Sequence, residues 1–519
     1  MTILVYTLFM TQEESLAIMD DGNSVLLTGA AGTGKTYTLN QFVRMSRSKG
    51  KTIALTATTG LAATHINGTT IHSWSGLGIN DTIPPNFVDN LTNQRVDIIR
   101  SSDILIIDEI SMMHHWRLDM IDKACQLVRG SELPFGGLQV ILAGDFFQLP
   151  PINRADSKYG GFITESEIWQ NDHFVTCYLT EQYRQKEDQT YTEILNGIRA
   201  GFLSSRQIHL LKSKIGTPLP EHEASTRLLT TNADVDQINE VRLSELSGEE
   251  FTYEMVTTGP KKYVEQLKNA CLATEYLKLK VGAFVMCIKN SADKKFVNGS
   301  LGVVTGFESS THYPIVKLNN GRQVTLKPDT WELLDGPKKR ASLSQIPLRL
   351  AWAITIHKSQ GMTLDNAKID LSKAFVEGMG YVALSRVKNI NNLSLDGLNN
   401  MAFQVSPEAK KINSELVEAS QQAVNIYAKQ IKSFKQRAKD VVPIAVTKES
   451  KMTWSEKLAK MRLEYPNAYL PWTATDDKKL VASFSSGEPL EKLSKKFGRH
   501  IGSIRTRLEK HLGEDIFDE

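Results

Sequence analysis

A glycine-rich loop is the first feature of this chain whose residue types and spacing suit phosphate chemistry. In LLTGAAGTGKTYTL, Gly29 stands four residues before the triplet Gly34, Lys35, Thr36. This is the P-loop pattern, and it follows a predicted strand and precedes a predicted helix, as the pattern requires. Inward N–H groups and the positive helix end would cradle phosphates, while Lys35 would contact the β- and γ-phosphates. We expect nucleotide contacts from Gly29, Gly32, Thr33, Gly34, Lys35 and Thr36, the last through a hydroxyl on Mg²⁺. A chance glycine loop would not explain the strand, the helix and the GKT triplet together.

The second feature is DILIIDEISM, in which an apolar run at residues 104–107 ends in Asp108 and Glu109. Ligands of a parallel sheet bind beyond the carboxyl ends of its strands, so these acids should face the P-loop crevice. Asp108 would hold Mg²⁺ through its water shell, and Glu109 would orient and deprotonate the attacking water. A solvated strand end or a helix N-cap is the alternative, but the apolar run demands a buried strand.

Alternating strands and helices must position these residues. Short runs that are apolar on both faces end at Gly29, Ala57, Asp108 and Asp145, with helical stretches between them. This pattern predicts a parallel sheet covered on both sides. A similar series at residues 226–232 and 366–371 predicts a second α/β domain.

The rest of the chain does not continue the alternation of buried strands and helices. Residues 279–331 predict short strands, with hairpin signals at Asn298 and Asn320, and indicate a small inserted β-barrel. Residues 407–439 predict a long polar helix, and VVPIAVTKES predicts a linker. Residues 454–519 predict a separate small helical domain.

Composition narrows the class of protein. The chain of 519 residues has 61 Lys and Arg against 58 Asp and Glu, which excludes a globally basic nucleic-acid coat but allows a local basic groove. Cys125, Cys177, Cys271 and Cys287 are far apart and form no CxxC pair, which favours a reducing compartment over zinc or disulfide frameworks. The apolar first ten residues lack a basic leader and a cleavage site, so we expect a cytoplasmic protein without signal peptide or membrane span. Alternatively, Met10 is the natural start.

Further motifs carry a family resemblance. PFGGLQVILAGDFFQLPPI and LTEQYRQ are followed in order by IPLRLAWAITIHKSQGMTLDNAKIDLS and YVALSR. Together with TATTGLAATHINGTTIHSWSGLG, they resemble superfamily-one DNA helicases of the petite-integration-frequency family, close to the RecD and Dda enzymes. The resemblance runs from about residue 10 to residue 398.

The resemblance implies an architecture. It indicates an α/β fold with two RecA-like P-loop domains in tandem and an inserted SH3-like β-barrel. The helicase core of the family does not require the C-terminal helical, helix-turn-helix-like domain that the last segment predicts. The predicted boundaries are 1–180 for the first domain, with a wedge insertion at about 76–100, and 181–404 for the second, with the barrel at about 240–345. A helix and linker would cover 405–450, and the last domain 451–519.

The resemblance also implies roles at the nucleotide site. Gln148 would sense the γ-phosphate and relay its state to the DNA track, and Gly361 would lie close to that phosphate. Arg184 and Arg386 would reach across from the second domain as arginine fingers, each worth roughly 10³ to 10⁵ in rate. Gln12, in MTQEES, would read adenine. Fingers on a separate domain make hydrolysis depend on domain closure, which is then the motor stroke.

The same family motifs imply a track for single-stranded DNA. The predicted contacts are Thr58, His72, His357, Lys358 and Ser359, since hydroxyls and loop N–H groups suit phosphate oxygens. Lone histidines are more often structural, so His72 and His357 depend on the motif match.

Nearby aromatic and proline residues suggest how bases would be held and strands separated. Trp74, Phe146 and Phe147 are candidates for stacking on bases, although core packing is the alternative for Phe146 and Phe147 and is favoured for one of the two. The strand-separating wedge is predicted from residue 76 to 100, with candidates Pro84, Pro85 and Phe87.

The C-terminal segment resembles helix-turn-helix or Myb-like modules. Thr473 would cap a first helix, Gly487 would end it, and two more helices follow, of which the third would enter a DNA groove. A local basic concentration supports DNA binding: Lys495, Lys496, Arg499, Arg505, Arg507 and Lys510. The alternatives are a solvated helical face or a protein-docking module.

These patterns predict an ATP- and Mg²⁺-dependent DNA helicase of genome maintenance that translocates on single-stranded DNA and acts at single/double-strand junctions. The resemblance implies 5′-to-3′ polarity, and we expect a monomer without a membrane partner. One alternative is a RecD-type motor subunit of a nuclease complex. Another is a non-catalytic DNA-binding regulator, against which the intact Lys35, Glu109 and both arginines count. The residues do not choose among forks, D-loops, RNA–DNA hybrids and G-quadruplexes.

Overall fold

The computed structural model places the chain in two compact units, residues 1–435 and 436–519. It describes residues 10–66, 68–78, 80–153, 158–171, 173–219, 225–271, 273–289, 291, 295–296, 299–335, 338–440, 461–462, 465–468 and 470–512. The predictions for the first nine residues, the Asn298 turn and the VVPIAVTKES linker lie outside these residues.

A six-stranded parallel sheet forms the first part of the larger unit, which we call the first lobe. Its strands run in the order β3–β2–β4–β5–β1–β6, and every position of β1 is buried. The strands are β1 (Val25–Gly29), β2 (Ile53–Ala57), β3 (Thr69–Thr70), β4 (Ile104–Asp108), β5 (Gln139–Gly144) and β6 (Val175–Leu179). This agrees with the parallel sheet predicted from the apolar runs.

In the described part of the first lobe, seven helices accompany this sheet. They are α1 (Gln12–Asp20), α2 (Lys35–Ser48), α3 (Gly60–His65), α4 (Ile71–Trp74), α5 (Asn93–Ser101), α6 (His115–Arg129) and α7 (Glu167–Gln170). Helix α1 starts in a capping box, in which the Thr11 side chain accepts from the Glu14 N–H and the Glu14 side chain accepts from the Thr11 N–H. Helix α2 begins directly after Gly34, whose φ of 85° reverses the chain from loop into helix.

A β-rich insertion follows the next strand, β7 (Thr226–Leu229). Helices α8 (Gln189–Ala200), α9 (Ser205–Lys212) and α10 (Asn232–Glu245) flank β7, and α11 (Lys261–Ala270) lies in the insertion. The inserted strands are β8 (Phe251–Glu254), β9 (Val256–Thr258), β10 (Tyr276–Leu279), β11 (Phe284–Cys287), β12 (Leu301–Phe307), β13 (Pro314–Leu318), β14 (Gln323–Thr325), β15 (Asp329–Asp335), β16 (Lys338–Gln345) and β17 (Leu348–Leu350). Five of them form an antiparallel sheet in the order β14–β13–β12–β11–β17. The turn predicted at Asn320 joins β13 to β14, with Gly321 at a φ of 81°.

A second parallel sheet forms what we call the second lobe. Strand β7 pairs with β18 (Ala353–Thr355) and β19 (Ala367–Leu371), and β19 pairs with β20 (Leu393–Leu398). Helix α12 (Met379–Leu384) follows β19 and is completely buried. The chain thus contains a second α/β sheet, as the repeated pattern predicted.

After β20 the chain returns to the first lobe through α13 (Pro407–Ile426) and α14 (Ala428–Asp440). The Ser420 hydroxyl accepts a hydrogen bond from the Tyr178 N–H of the edge strand β6 at 2.9 Å. The Tyr178 hydroxyl donates to Asn413 Oδ1 at 2.7 Å, and α13 buries apolar residues including Leu416. The polar helix expected here therefore covers the edge strand β6, which also forms a bridge from Leu179 to Met10. None of the described helices, α13 included, has both the length and the apolar character needed to cross a membrane.

The smaller unit contains α15 (Ala474–Ser485), α16 (Leu490–Phe497) and α17 (Ile501–Leu512). Its core consists of Leu480, Leu493, Ile504 and Leu508, all fully buried. Thr473 caps α15 in a capping box with Asp476. Among the described residues, Trp472, Phe484, Leu490 and Phe497 pack against these four side chains.

Leu508→Ala should therefore destabilise the smaller unit by about 2–5 kcal/mol, because a buried leucine leaves a cavity. Hydrogen exchange of peptides from residues 474–512, measured in the full chain, should accelerate. Leu512→Ala, on the exposed face of the same helix, should change stability by less than about 0.5 kcal/mol. Equal exchange in the two variants would contradict this core.

Candidate functional site

A cavity of about 940 Å³ lies beyond the carboxyl ends of β1 and β4 and receives side chains from both lobes. Of the residues predicted for function, it is lined by Gly32, Gly34, Lys35, Thr36, Asp108, Glu109, Gln148, Arg184, His357, Lys358, Gly361 and Arg386. Residues from positions 32 to 386 of the chain are thus brought together in one place.

The P-loop is shaped by close backbone approaches. A Cβ on Gly29 would lie 2.3 Å from the Leu179 carbonyl oxygen, so only glycine fits there. The Lys35 ammonium donates to the carbonyl oxygens of Gly29 at 2.9 Å and Ala30 at 3.0 Å. Burial lowers the pKa of Lys35, although Asp145 and the acid pair oppose this shift. Thr33 turns inward, and its hydroxyl donates to Ala30 O.

The paired acids stand where β4 ends. Burial, followed by the neighbouring charge of Glu109, raises the pKa of Asp108 to about 7. Glu109 has a φ of 54°, a left-handed conformation that costs a non-glycine residue roughly 1–3 kcal/mol and is concentrated at functional sites. Its Oε2 accepts a hydrogen bond from Gln360 Nε2, of the second lobe, at 2.8 Å. Burial also raises the pKa of Glu109, while the Gln360 hydrogen bond and Lys35 oppose the shift.

Two guanidinium groups lie on the opposite wall. Arg386 is fully buried, and its described hydrogen bonds go to uncharged oxygens, among them Val382 O and Ser385 Oγ, each at 2.7 Å. Burial lowers its pKa, and Glu109 opposes this. Arg184 donates to Ser385 O at 2.9 Å, and burial, with Arg386 adding, lowers its pKa to about 9. The cavity therefore contains concentrated positive charge that suits a polyanion.

Two predicted glutamines occupy different positions. Gln148 Nε2 donates to Asp145 Oδ2 at 3.3 Å, and its buried Oε1 has no hydrogen-bond partner among the described residues. Gln12 lies behind the P-loop, where its amide donates to Thr33 O at 3.2 Å. The sequence analysis did not single out Tyr37 and Tyr183, two exposed aromatic residues of the cavity wall. Their positions, beside Thr36 and Arg184 in the motifs, were the available signal.

Two predicted DNA contacts are turned inward. The Thr58 hydroxyl donates to Glu109 O at 2.9 Å, which joins the TATTG loop to the acid pair. Ser359 is fully buried, and its hydroxyl donates to Ile356 O at 2.7 Å. The predicted contact of the Ser359 side chain with DNA does not fit this burial, because the hydroxyl is used inside its own turn.

Three other predicted DNA contacts are half-buried. His357 and Lys358 lie on the cavity wall, and Lys358 Nζ donates to Asn232 Oδ1 at 3.0 Å. His72 lies in α4 of the first lobe, where burial, with Arg117 adding, lowers its pKa to about 4.

The aromatic residues proposed for base stacking are core residues. Trp74, Phe146 and Phe147 are all buried. Phe146 packs edge-on against Phe162 with ring centroids 5.3 Å apart, and Phe147 lies 4.1 Å below the Arg199 guanidinium. The stacking prediction is therefore wrong for Trp74, because local motifs do not reveal which face of a loop is covered. For Phe146 and Phe147 the alternative of core packing, which was favoured for one of the two, is confirmed for both.

The wedge prediction also needs one correction. Phe87 is buried in the core of the first lobe and does not project towards a duplex. Pro85 is exposed and Pro84 is half-buried, so these two remain candidates.

A buried polar network that sequence reasoning missed connects the lobes. Arg199 Nη1 donates to Asp145 Oδ1 at 2.7 Å, and the Tyr381 hydroxyl donates to Asp145 Oδ2 at 3.2 Å. Burial alone would raise the pKa of Asp145, but the charges of Arg199 and then Lys35 hold this pKa below its usual value. The available signal was LQVILAGD, whose apolar run ends in an acid as the Asp108 run does.

The basic residues of the smaller unit are largely used within it. Arg499 is buried and donates to Leu470 O at 2.7 Å, while Arg507 pairs with Asp477 at 2.6 Å. Lys496 pairs with Glu488 at 3.0 Å, and Arg505 pairs with Glu509 at 3.1 Å. The predicted basic cluster is therefore partly paired within the unit, while Lys495 and Lys510 of that cluster are exposed, as are Lys478, Lys479 and Lys492.

The residues at the cavity fit magnesium bound together with a triphosphate. Thr36 and Asp108 present a hydroxyl and a carboxylate on the same cavity wall. Within the described ranges, no group of three or more His, Cys, Asp or Glu side chains could hold a metal ion by itself. Mg²⁺ typically uses one or two carboxylates plus phosphate and water oxygens, which matches this donor set.

Comparisons with known proteins find helicases similar to this chain. A family profile described as "PIF1-like helicase" matches residues 9–207, and one described as "DNA helicase Pif1, 2B domain" matches residues 262–307. The chain is 40% identical over 474 residues to an ATP-dependent DNA helicase Pif1 of Psychrobacter, covering 80% of this chain and 72% of that protein. Against the human ATP-dependent DNA helicase PIF1 it is 37% identical and spans 62% of that protein's length.

Solved structures show the same similarity. The structure of Pif1 helicase from Candida albicans has a TM-score of 0.69 at 34% identity, covering 80% of this chain and all of that chain. The structure of Bacteroides Pif1 in complex with ADP-AlF4 has a TM-score of 0.67 at 31% identity, covering 81% of this chain and 99% of that one.

His72 provides a pH test of the packing in α4. Its pKa falls from 6.5 to about 4 on burial, so the unfolded chain takes up a proton that the folded chain excludes. The free energy of unfolding should therefore decrease as the pH falls from about 6.5 towards 4. His72→Asn should reduce this decrease by about 1–3 kcal/mol in urea unfolding at pH 7.5 and 4.5. His209→Asn, at an exposed site on α9, controls for loss of a histidine, and equal behaviour of the two variants would contradict the burial.

Proposed function

This chain belongs to the family of PIF1-like helicases, and from that premise we propose how its cavity drives the unwinding of DNA. It is an ATP-dependent DNA helicase. The observation that carries the proposed mechanism is the convergence of Lys35, Glu109, Arg184 and Arg386 on one cavity between the lobes. A non-catalytic regulator would have no use for this arrangement.

The first lobe binds the nucleotide. The P-loop N–H groups and Lys35 hold the phosphates, and the exposed Tyr37 and Tyr183 offer aromatic faces to the base. Thr36 and Asp108 would hold Mg²⁺, which supplies charge neutralisation on the phosphate oxygens. Gln12, whose amide contacts the P-loop at Thr33 O, would read the adenine base.

Hydrolysis depends on residues from both lobes. Glu109 accepts a proton from the attacking water while the water oxygen forms a bond to the γ-phosphorus. The bond between the γ-phosphorus and the oxygen that stays with ADP breaks. Gln148 contacts the γ-phosphate and Gly361 lies beside it. Arg184 and Arg386 stabilise the spreading negative charge, a contribution of roughly 10³ to 10⁵ in rate for one such arginine. The burial of Arg386 strengthens its effect, because little water screens its charge.

Closure and opening of the cavity move the DNA track. His357 and Lys358 lie on the cavity wall, so their contact with a DNA phosphate responds to nucleotide state. A related Bacteroides protein, 32% identical with a TM-score of 0.59, has been solved bound to ssDNA, which supports a single-stranded track here. We propose translocation in the 5′-to-3′ direction by a monomer, with entry at single/double-strand junctions.

The proposed domains follow the sheets. The first lobe corresponds to a RecA-like domain at 1–180 and the second to one at 181–404. The five-stranded antiparallel sheet supports an SH3-like barrel within about 240–345, and the match to a 2B domain profile at residues 262–307 overlaps that segment. The three short helices of the smaller unit support a helix-turn-helix-like module at 451–519.

Unwinding of duplexes that carry either a 5′ or a 3′ single-stranded tail tests the activity. Wild type should open the 5′-tailed duplex, and Lys35→Ala should lower unwinding and ATP hydrolysis by about 10²-fold or more, because the phosphates lose their cation. Lys49→Ala, at the exposed end of the same helix α2, is the matched control and should behave like wild type. Activity of Lys35→Ala near wild type, or opening only from the 3′ tail, would overturn the site or the polarity.

The smaller unit is proposed to bind duplex DNA through the surface that bears Lys495 and Lys510. Replacing both with glutamate should weaken binding to a blunt duplex and reduce the salt dependence of binding, by about one unit of slope for each DNA phosphate that the surface no longer neutralises. Lys429→Glu with Lys432→Glu, on exposed positions of α14, is the control for net charge. Equal weakening in the two double variants would exclude a specific surface and favour a protein-docking role.

A further inference from the structure

One peptide of the P-loop, that of Ala31, is held by side chains that lead directly to both arginines. Its carbonyl oxygen accepts a hydrogen bond from Gln182 Nε2 at 2.8 Å, and its N–H donates to the Tyr381 hydroxyl at 2.9 Å. Gln182 precedes Arg184 by two residues, and Tyr381 precedes Arg386 by five. We infer that Ala31 is the docking point that aligns both arginine-bearing segments with the phosphates, and that Gln182 and Tyr381 are positioning residues. This inference rests on the proposed function of the cavity.

The Tyr381 hydroxyl has no spare hydrogen-bonding capacity. It accepts from the Ala31 N–H and from Arg199 Nη1 at 3.1 Å, and it donates to Asp145 Oδ2 at 3.2 Å. A hydroxyl offers one proton and two lone pairs, so all three are used. Because the side chain is buried, a shift of the hydroxyl would leave polar groups unpaired away from water, which is costly. In this arrangement of the lobes, the P-loop thereby sets the position of α12 and of Arg386 just beyond its end.

Gln182 fixes the other segment in a similar way. While its amide nitrogen contacts Ala31, its Oε1 accepts a hydrogen bond from the Arg184 N–H at 3.0 Å. A Cβ on Gly32 would lie 2.3 Å from this Oε1 and 2.7 Å from the Arg184 Cβ. The glycine after Ala31 therefore allows the segment that bears Arg184 to approach the loop this closely.

The docking point is also linked to the proposed γ-phosphate sensor. Gln148 Nε2 and the Tyr381 hydroxyl donate to the same oxygen, Asp145 Oδ2. If Gln148 turns towards a phosphate, it releases this oxygen while Tyr381 and Arg199 retain Asp145. The lobes thus keep their alignment at Ala31 in the closed arrangement while the sensor turns.

A matched pair of variants tests the inference, because Tyr191 is also fully buried. The Tyr191 hydroxyl donates to Leu384 O of α12 at 2.5 Å, and its described hydrogen bonds do not include the P-loop. Tyr381→Phe and Tyr191→Phe each remove one hydroxyl from the surroundings of the same helix. If the two hydroxyls only stabilised the fold, both variants would lose stability and their kcat values would change alike.

Tyr381→Phe should lower kcat for ATP hydrolysis with oligo(dT) by roughly 10- to 100-fold, the scale expected when a catalytic group is misplaced by about 1 Å. KM for ATP and affinity for ADP alone should change by less than about threefold, because ground-state binding is retained. Affinity for ADP with aluminium fluoride, which mimics the phosphoryl group in transfer, should fall by about the same factor as kcat. Tyr191→Phe should keep kcat within about threefold of wild type.

Gln182→Met has a side chain of similar length without the amide. It should likewise lower kcat through Arg184 while leaving KM for ATP and the affinity for ADP nearly unchanged. If thermal unfolding shows that Tyr381→Phe does not fold, this variant tests the inference in its place. Equal losses of kcat in the two tyrosine variants, or equal weakening of ADP and of ADP with aluminium fluoride, would overturn the inference. Retained hydrolysis by Lys35→Ala would instead overturn the proposed function, so the two failures can be distinguished.

Discussion

Incompletely neutralised charge inside a shared cavity is the constraint on which the rest of the structure depends. Lys35, Arg184 and Arg386 share one cavity with Asp108 and Glu109. Burial lowers the pKa of each cation and raises that of each acid, so every one of these charges is held at a cost. A triphosphate with its magnesium ion supplies the missing partners for both signs, which gives the lobes an energetic reason to close around it.

The two lobes meet this constraint in different ways. In the first lobe, backbone geometry holds the site: glycines occupy the tight approaches of the P-loop, and Glu109 is kept in a left-handed conformation. In the second lobe, side-chain contacts hold the site: Arg386 donates to uncharged oxygens, and Gln360 donates a hydrogen bond to Glu109. The nucleotide site of the first lobe can thus keep its backbone geometry while the side-chain contacts of the second lobe form and break.

Sequence reasoning was most successful where local pattern decides the structure. The buried runs predicted two parallel sheets, and the strand ends at Gly29 and Asp108 predicted one crevice, because parallel strands present their carboxyl ends on one side. It failed where the answer depends on what covers a side chain. Trp74 and Ser359 stand in motifs that look exposed, but Trp74 lies in the core and Ser359 within a tight turn. Tyr381 was missed because its partners are up to 350 residues away along the chain.

The return of α13 to the edge of β6 affects how the lobes can move. The backbone leaves the first lobe after β6 and comes back to that same strand through α13. A body attached at two neighbouring points keeps rotation about the line through them and loses most other freedom. Opening would then be a rotation of the second lobe about the line through these two attachment points. Each closing rotation would return the arginines to the phosphates along the same arc.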